Sequence, residues 1–157
     1  MSRSPEVTRK IMSAVRSKET RPEVALRREL WRRGLRYRKN DKRLPGKPDI
    51  VLSRARLAVF CDGDFWHGHN WAIRGYGSLE QELKRYSKPW ADKILRNIRR
   101  DEIVNQTLRS QGWQVLRVWE SDIKKNVKRC GNLAEYTYWR AIRNLDGDEV
   151  GDYDEYD

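Results

Sequence analysis

Apolar residues near the start of the chain recur at the spacing of an amphipathic helix. In TRPEVALRRELWRRG, Leu26 and Leu30 lie one turn apart and predict a helix with one buried face. Thr20 suits the N-cap of this helix, and Gly34 suits the position just beyond its last turn. Glu23 lies one turn before Leu26, so its carboxylate is expected to point along the same inward face. A capping-box role is equally compatible with its place three residues after Thr20.

Shorter apolar runs follow this helix and have the character of strands. LRYRKN predicts an edge strand, whereas DIVLS and RLAVFC, joined by the short segment SRAR, predict a β-hairpin. Asp49 opens the first run of the hairpin and Asp62 follows the second, so both aspartates are expected at the same end of the strand pair. Further along the chain, WQVLRVWE predicts another strand.

The remaining periodic segments predict helices. Residues 4–17 indicate a short helix or arm, and a long helix is predicted from about Trp90 to Ser110, after a polar helical passage interrupted at Pro89. AEYTYWRAIRNL predicts a final amphipathic helix, with Tyr138, Ile142 and Leu145 along it. The order helix, strands, helix, strand, helix predicts an α/β fold in which helices cover a sheet.

Composition is typical of one globular domain. The 157 residues suffice for a hydrophobic core, and seven tryptophans are unusual for a disordered chain. No run approaches the length of a membrane span, and the N-terminal segment has no secretory apolar stretch, so a cytoplasmic location is expected. Cys61 and Cys130 are therefore expected to be free thiols.

Charge is distributed unevenly along the chain. Residues 146–157, DGDEVGDYDEYD, contain seven acids and no base, and we expect them to form a disordered tail behind a domain spanning residues 1–145. Without those seven acids, 34 basic side chains face 16 acidic ones, a formal net charge of +18. Such a body attracts polyanions, which favours nucleic acid as the partner over a merely soluble, highly charged surface.

Candidate chemistry concentrates in residues 62–71, DGDFWHGHNW, and on the long predicted helix. The first segment holds both histidines of the chain, His67 and His69, among aspartates and large aromatic residues. On the helix, Asp101 falls in the middle of the apolar stripe, where a carboxylate needs a cation or hydrogen-bond donors. A structural ion pair with an arginine and a catalytic role are both open for this aspartate.

The two aspartates of the hairpin indicate a metal site. Close carboxylates repel, and a hard divalent cation such as Mg²⁺ relieves that repulsion and suits phosphodiester hydrolysis. The dipeptide PD, followed about a dozen residues later by an acid at the end of the next strand, resembles the PD-(D/E)xK nucleases. The usual lysine is missing, and His67 stands shortly after instead.

Longer motifs resemble one family specifically. KETRPEVALRRELWRRGLRYR, LPGKPDIVL, AVFCDGDFWHGH, KILRNIRRDE and GWQVLRVWE occur in the order and spacing of the very short patch repair (Vsr) DNA mismatch endonucleases, from about residue 8 to residue 125. The resemblance implies a PD-(D/E)xK-like, restriction-endonuclease-like mixed sheet flanked by helices. It also implies nicking of one DNA strand beside a G·T mismatch, with one or two Mg²⁺ ions.

The resemblance assigns roles to individual residues. Asp49 matches the central magnesium ligand, and the backbone carbonyl of Cys61 matches the group that completes the shell of that ion. His67 matches a histidine that acts as general base or positions water, Asp101 the acid paired with it, and Glu23 an acid near the water shell of a second ion.

At Asp62 the chain departs from the family, which commonly carries a histidine there. Direct binding of metal is therefore expected of Asp62, and a proton-shuttle role is in doubt.

The resemblance also assigns contacts with DNA. Phe65, Trp66 and Trp90 match aromatic residues that wedge into the base stack, where entry costs least beside a mismatch. Ordinary core packing is the alternative for these aromatics. Lys93 and His69 are expected to contact DNA as well, with a structural role as the alternative for His69.

A structural zinc ion is expected to be absent. The family commonly holds it with cysteines and a histidine, whereas the matching positions here carry Asp64, Trp71 and Ser121, leaving only His69. Serine and tryptophan do not replace thiolates as zinc ligands, so packing of Trp71 is expected to take the place of the ion.

The sequence thus predicts a monomeric, DNA-nicking endonuclease of mismatch repair that acts on double-stranded, mismatched DNA of the nucleoid and not at a membrane. Two alternatives stay open: a restriction-type or mobile-element defence nuclease of the same fold with another DNA target, and a DNA-binding module that has lost catalysis. Mismatch-repair proteins are candidate partners that the sequence does not identify.

Overall fold

A mixed four-stranded sheet organises the chain in the computed structural model, which describes residues 20–147. The strands lie in the order β1-β2-β3-β4, with antiparallel pairing from β1 to β3 and parallel pairing between β3 and β4. Their bounds are Arg38–Lys39 (β1), Ile50–Leu52 (β2), Leu57–Asp62 (β3) and Gln114–Trp119 (β4). Together with the helices, this sheet confirms the α/β class and the mixed sheet that the resemblance implies.

Helices occupy most of the remaining described chain. They are Arg21–Arg32 (α1), Asn70–Arg74 (α2), Leu79–Leu83 (α3), Lys88–Ser110 (α4), Glu120–Lys125 (α5) and Val127–Leu145 (α6), with a 3₁₀ turn at Ser53–Ala55. Between residues 20 and 147, none of these helices has the length and apolar character that a membrane span requires. The helix or arm predicted over residues 4–17 lies outside the described residues, as does the acidic tail beyond Gly147.

The first helix begins and ends where the sequence predicts. The side-chain oxygen of Thr20 accepts a hydrogen bond from the backbone N–H of Glu23, and Gly34 beyond the helix adopts φ +84°. Leu26 and Leu30 are fully buried, and Glu23 is buried beside them, so the inward direction of this carboxylate is confirmed.

The predicted hairpin is also present, and its register sets the position of the aspartates. Ile50 pairs with Val59 and Leu52 with Leu57, so Asp49 enters the sheet beside the end of β3, where Asp62 lies. Because β4 runs parallel to β3, the carboxyl ends of both strands meet at that same edge. The topology therefore gathers the end of β3, the end of β4 and the entry to β2 at one edge of the sheet.

Two apolar clusters hold helices against the opposite faces of the sheet. On one face, α1, α5 and α6 cover the larger cluster, which includes Leu26, Leu30, Leu57, Val59 and Tyr138. On the other face, α4 packs through Leu108 against Ala58 and Phe60. The edge of the sheet where β3 and β4 end thus lies between the helices on its two faces.

Two details of the predicted helices are wrong. Pro89 does not interrupt a helix but lies in the first turn of α4, which begins at Lys88. Proline suits this position because N–H groups in the first turn have no acceptor within the helix, so the N–H that proline lacks is not needed there. The final helix begins at Val127, seven residues before the predicted segment AEYTYWRAIRNL, and Leu145 at its end is 50% exposed whereas Tyr138 and Ile142 are buried.

Glycine is required where the turn before β2 approaches α4. Gly46 has φ +74°, and a Cβ atom built on it would lie 2.5 Å from Cγ1 of Val104 and 3.3 Å from the ring of Phe60. The turn LPGKPD can therefore lie against the long helix only without a side chain at this position.

Gly46→Ala is expected to lower the free energy of unfolding by about 2–5 kcal/mol. Left-handed backbone strain contributes about 1–2 kcal/mol, and overpacking against Val104 contributes about 1–3 kcal/mol. Gly34→Ala is the matched control, because Gly34 has φ +84° but a Cβ atom added there would meet no atom within 4 Å. Urea denaturation of both variants measures the difference, and equal losses would contradict the close approach of the turn to α4.

Candidate active site

A cleft of about 580 Å³ opens at the edge of the sheet where β3 and β4 end. Its walls come from the N-terminus of α1, the turn before β2, β3 with the loop after it, α4 and β4. The cleft brings together the five residues that the sequence predicts as catalytic: Glu23, Asp49, Asp62, His67 and Asp101.

Asp49 lies in this cleft as a half-buried carboxylate among other acids. The backbone N–H of Cys61, across the hairpin, donates a hydrogen bond to its Oδ2 at 2.7 Å. Burial, together with the negative charges of Glu23, Asp62 and Glu120, raises the pKa of Asp49 to about 7 against the lowering effect of that hydrogen bond. A cation placed beside this carboxyl group would therefore stabilise its ionised form.

Cys61 contributes a neutral side chain to the cleft. Burial and the nearby acids raise the pKa of its thiol far above the ordinary range, so no thiolate forms at neutral pH. Cys61 and Cys130 are both free cysteines, as predicted. The role of the Cys61 backbone carbonyl as a metal ligand stays a prediction.

His67 and Asp101 form a directly hydrogen-bonded pair. Nδ1 of His67, in the loop after β3, contacts Oδ2 of Asp101 on α4, while Nε2 lies 3.8 Å from Oδ1 of Asp62. Burial alone would lower the pKa of His67, but the hydrogen bond with Asp101 and the charges of both aspartates raise it overall. The pair fixes the imidazole orientation and leaves Nε2 directed away from Asp101.

Gly68 lets the loop that carries His67 lie against α4. Its φ is +71°, and a Cβ atom there would lie 2.9 Å from Cδ1 of Ile98 and 3.2 Å from Cγ2 of Ile94. Close packing of this glycine on the helix brings the preceding histidine within reach of Asp101.

Asp62 and Asp101 share an arginine that the sequence analysis missed. Nη1 of Arg117, on β4, lies 3.0 Å from Oδ1 and 3.1 Å from Oδ2 of Asp62, and 3.4 Å from Oδ1 of Asp101. Asp101 therefore makes the ion pair with an arginine that one interpretation requires and contacts the histidine with which the resemblance pairs it, while its catalytic role stays a prediction. Burial raises the pKa of Asp62 overall, although the charges of His67 and Arg117 lower it in part.

Glu120 is a second residue of the site that the sequence analysis missed. It follows β4 directly, lines the cleft, and accepts a hydrogen bond from the side-chain hydroxyl of Thr20 at 3.1 Å. Burial raises its pKa. The signal for it was an acid at the carboxyl end of a predicted strand, and for Arg117 a cation inside the apolar run WQVLRVWE.

The donor chemistry of the cleft suits a hard divalent ion. Carboxylate oxygens are the ligands that Mg²⁺ and Mn²⁺ prefer, and the acids around Asp49 concentrate negative charge that such an ion would neutralise. A second group, Asp62, His67 and Asp101, offers ligand atoms that all lie within 4.8 Å of one another. The sequence-predicted ligands Asp49 and Asp62 thus fall into two neighbouring groups.

Aromatic residues cluster beside the cleft. Phe65 lies 4.9 Å from Trp66 and 6.1 Å from Trp90, and the two tryptophans lie 5.2 Å apart, between ring centroids. Lys93 places its ammonium group 4.5 Å from the Trp66 ring centroid. These rings lie outside the two apolar clusters that hold the helices to the sheet. Their surroundings therefore differ from ordinary core packing.

Hydrogen bonds join the residues at the positions matched to the zinc ligands of the family. Oδ1 of Asp64 lies 2.7 Å from Nδ1 of His69 and accepts from Oγ of Ser121 at 2.6 Å. The His69 ring stacks on Trp119 with centroids 4.0 Å apart. These contacts favour the structural alternative for His69.

Trp71 is placed differently from the other members of that set. Its backbone N–H donates to the buried carboxylate of Glu82, which also accepts from the hydroxyl of Tyr86 at 3.0 Å. Polar contacts of Asp64 therefore connect the loop after β3 to Ser121 on α5, and the packing expected of the Trp71 side chain stays a prediction.

Basic side chains flank the acids of the cleft. Lys47 enters from the turn before β2, and Lys93 and Arg100 enter from α4. Their positive charges complement the phosphates of a polyanion.

Comparison with known proteins identifies relatives of this chain. Residues 3–73 match the sequence pattern of the family described as DNA mismatch endonuclease Vsr. The type II nicking enzyme V.NmeDIP of Neisseria meningitidis serogroup C is 42% identical over 144 residues, 92% of this chain and 91% of the relative. The type II nicking enzyme V.HpaIIP of Haemophilus parainfluenzae is 40% identical over 89% and 97% of the two chains. The DNA mismatch endonuclease Vsr of Escherichia coli K12 is 34% identical over 76% and 72%.

The raised pKa of Asp49 predicts how stability changes with pH. In the folded protein this carboxyl holds its proton up to about pH 7, but in the unfolded chain it releases it near pH 4. Its ionisation therefore destabilises the fold as pH rises from 4 to 7. In EDTA, Asp49→Asn is expected to raise the free energy of unfolding at pH 8 by up to about 4 kcal/mol, and by less than about 0.5 kcal/mol at pH 4.

Asp41→Asn is the control for this measurement, because Arg43 lowers the pKa of Asp41 to about 2. That variant should lose stability at pH 8. Guanidinium denaturation at both pH values gives the comparison. An Asp49→Asn variant less stable than the wild type at pH 8 would contradict an uncompensated charge at Asp49.

Proposed function

The chain belongs to the Vsr family of DNA mismatch endonucleases and is a DNA endonuclease, and we propose that it nicks one strand of duplex DNA beside a G·T mismatch with Mg²⁺ as cofactor. The observation that carries this proposal is the His67–Asp101 pair in one cleft with the half-buried carboxylate of Asp49. An acid that favours a cation and an oriented imidazole are the two parts that metal-assisted phosphodiester hydrolysis needs.

In this proposal, His67 is the general base. Nδ1–H of the ring donates to Asp101, which leaves the lone pair on Nε2 of the neutral imidazole. A water molecule would lose a proton to Nε2 as its oxygen bonds to the phosphorus, while the P–O bond to one neighbouring nucleotide breaks. Asp101 positions the ring and stabilises the imidazolium that results.

The residues that would hold Mg²⁺ are Asp49 and the backbone carbonyl of Cys61. The ion would polarise the phosphate and stabilise the departing oxygen. Glu23 and Glu120 lie in the same cleft and would accept hydrogen bonds from water bound near Asp49. Support for this assignment comes from the acids that raise the pKa of Asp49.

Mismatch preference is assigned to the aromatic cluster of Phe65, Trp66 and Trp90. Inserting an apolar ring between bases costs a few kcal/mol, and the cost is lowest where pairing is already weak. The cluster adjoins His67 in sequence, so insertion would occur near the scissile phosphate. Lys47, Lys93 and Arg100 would supply affinity for the backbone of any duplex. We place the enzyme on nucleoid DNA as a monomer.

A second candidate function is single-strand nicking of a different DNA target. Two of the relatives are named type II nicking enzymes, which favours single-strand cleavage but does not name a mismatch. A nuclease that nicks a fixed paired sequence would use the same catalytic residues. Wild-type cleavage of G·T and G·C duplexes of one sequence separates the two candidates.

Asp49→Asn is expected to lower nicking of a G·T duplex by more than about 10³-fold, because the amide removes the charge that holds the ion and keeps the shape. His67→Ala is expected to lower the rate by about 10²–10⁴-fold. Rates are measured on one end-labelled strand at saturating enzyme, with Mg²⁺ and with EDTA. Duplex binding by both variants serves as the control. An Asp49→Asn enzyme that nicks at the wild-type rate would sink the metal assignment.

Trp66→Ala is expected to keep the salt-dependent affinity for paired duplex and to lower the nicking rate at G·T by about tenfold or more. The lost stacking is worth about 1–3 kcal/mol for each base, whereas the phosphate contacts remain. The matched control is Trp139→Ala, which removes a tryptophan 43% exposed on α6 and outside the cleft. Equal losses in both variants, or equal wild-type rates on G·T and G·C duplexes, would count against the mismatch assignment.

A further inference from the structure

Arg117 is a cation fixed inside the acid cluster. It stands in the middle of β4, paired in register with Phe60 of β3. Its Nη1 atom contacts both carboxylate oxygens of Asp62 at 3.0 and 3.1 Å and lies 3.4 Å from Oδ1 of Asp101. One guanidinium nitrogen therefore serves two carboxylates that would otherwise repel one another.

Further contacts hold the guanidinium in this position. Nε donates to Oδ1 of Asn105 at 2.7 Å, Nη2 donates to the backbone carbonyl of Asp101 at 3.5 Å, and Cζ lies 4.1 Å from the ring centroid of Phe60. The side chain is only 19% exposed. Because both the charged group and the apolar part of the side chain make contacts within the protein, the arginine would not move aside for an ion to bind at Asp62.

The location of Arg117 matters because its neighbours resemble a metal site. Ligand atoms of Asp62, His67 and Asp101 lie within 4.8 Å of one another, close enough to share one divalent ion. A divalent ion bound to Asp62 would lie next to the positive charge that already contacts both oxygens of that carboxylate. Their repulsion in a poorly solvated site opposes binding there.

Asp49 has the opposite surroundings. The neutral N–H of Cys61 donates a hydrogen bond to it, and the charged neighbours with the largest influence on it are the acids Glu23, Asp62 and Glu120. Glu23 forms a buried ion pair with Arg27 at 3.2 Å, whereas Asp49 makes no ion pair with a basic side chain of residues 20–147. The cleft therefore holds one carboxylate, Asp62, that an arginine neutralises and one, Asp49, that has no such partner.

We propose that Arg117 is a positioning residue that takes the place of a divalent ion at Asp62, His67 and Asp101, so that the divalent ion binds at Asp49 and Asp62 is not one of its ligands. This inference rests on the proposed function for the ion at Asp49, and it departs from the direct metal binding that the sequence suggests for Asp62. Arg117 thereby keeps His67 free of metal and available as a base.

Counting bound Mn²⁺ tests this inference. The full chain, without DNA at pH 8, is titrated with Mn²⁺, and the free ion is measured by electron paramagnetic resonance. Arg117→Met is expected to bind about one Mn²⁺ more per chain than the wild type, whereas Arg117→Lys, which restores the charge, should not. Arg100→Met is the matched control, because it removes an arginine that lines the same cleft from α4.

The count in Arg117→Met relative to the wild type decides the inference, whatever the wild-type count is. Equal counts in the two proteins, or an equal gain in Arg100→Met, would overturn it. The proposed function is tested separately, because the wild type should bind one Mn²⁺ that Asp49→Asn loses.

A further variant keeps the test decisive if Arg117→Met does not fold. Asp62→Asn, which can still accept a hydrogen bond from Arg117, should bind as many Mn²⁺ ions as the wild type. Loss of an ion in Asp62→Asn would show that Asp62 is a ligand and would overturn the inference.

Discussion

Negative charge buried at one edge of the sheet is the constraint on which the rest of the site depends. Asp49, Asp62, Asp101 and Glu120 converge there with Glu23. Glu23 and Asp62 are buried and the other three are half-buried, and withdrawing a carboxylate from water is costly unless a cation or hydrogen-bond donors meet it. The protein meets part of this charge from within, because Arg27 pairs with Glu23, and Arg117 and His67 lie beside Asp62 and Asp101. At Asp49 the donor is the neutral N–H of Cys61, and burial together with the nearby acids raises the pKa of this carboxyl to about 7. An enzyme that uses a divalent ion needs such a division, because the ion must find charge that no side chain has already neutralised.

The fold supplies this division through its topology. Parallel pairing of β3 and β4 brings the strand ends together, and the antiparallel hairpin returns Asp49 to the same edge. Helix α4, which carries Asp101, packs on the face of the sheet opposite α1, α5 and α6. Glycines at positions 46 and 68 allow two loops to contact this helix. Arg117 belongs to the face of the sheet that α4 covers, as its contact with the Phe60 ring shows. The packing of α4 on the sheet therefore determines which acids contact Arg117.

Much of this arrangement could be predicted from the sequence because it depends on local pattern. Apolar spacing placed Leu26 and Leu30 inside and Asp101 on the covered side of α4, and the hairpin pattern placed Asp49 near Asp62. Residues whose role depends on a partner far along the chain were missed. Arg117 and Asp62 are 55 positions apart, on separate strands whose register no motif fixes. For the same reason the Asp64–His69–Ser121 contacts were missed, since Ser121 joins them from 57 positions away.

The central claim is that the divalent ion and Arg117 divide the acids of the cleft between them. Anomalous diffraction from crystals of the full chain grown with Mn²⁺ tests it most directly, because the anomalous signal locates the ion independently of the protein density. The account predicts a peak bonded to a carboxylate oxygen of Asp49 and to the backbone carbonyl of Cys61, with Arg117 still on Asp62. A peak bonded to Asp62, His67 and Asp101, with Arg117 displaced, would contradict it.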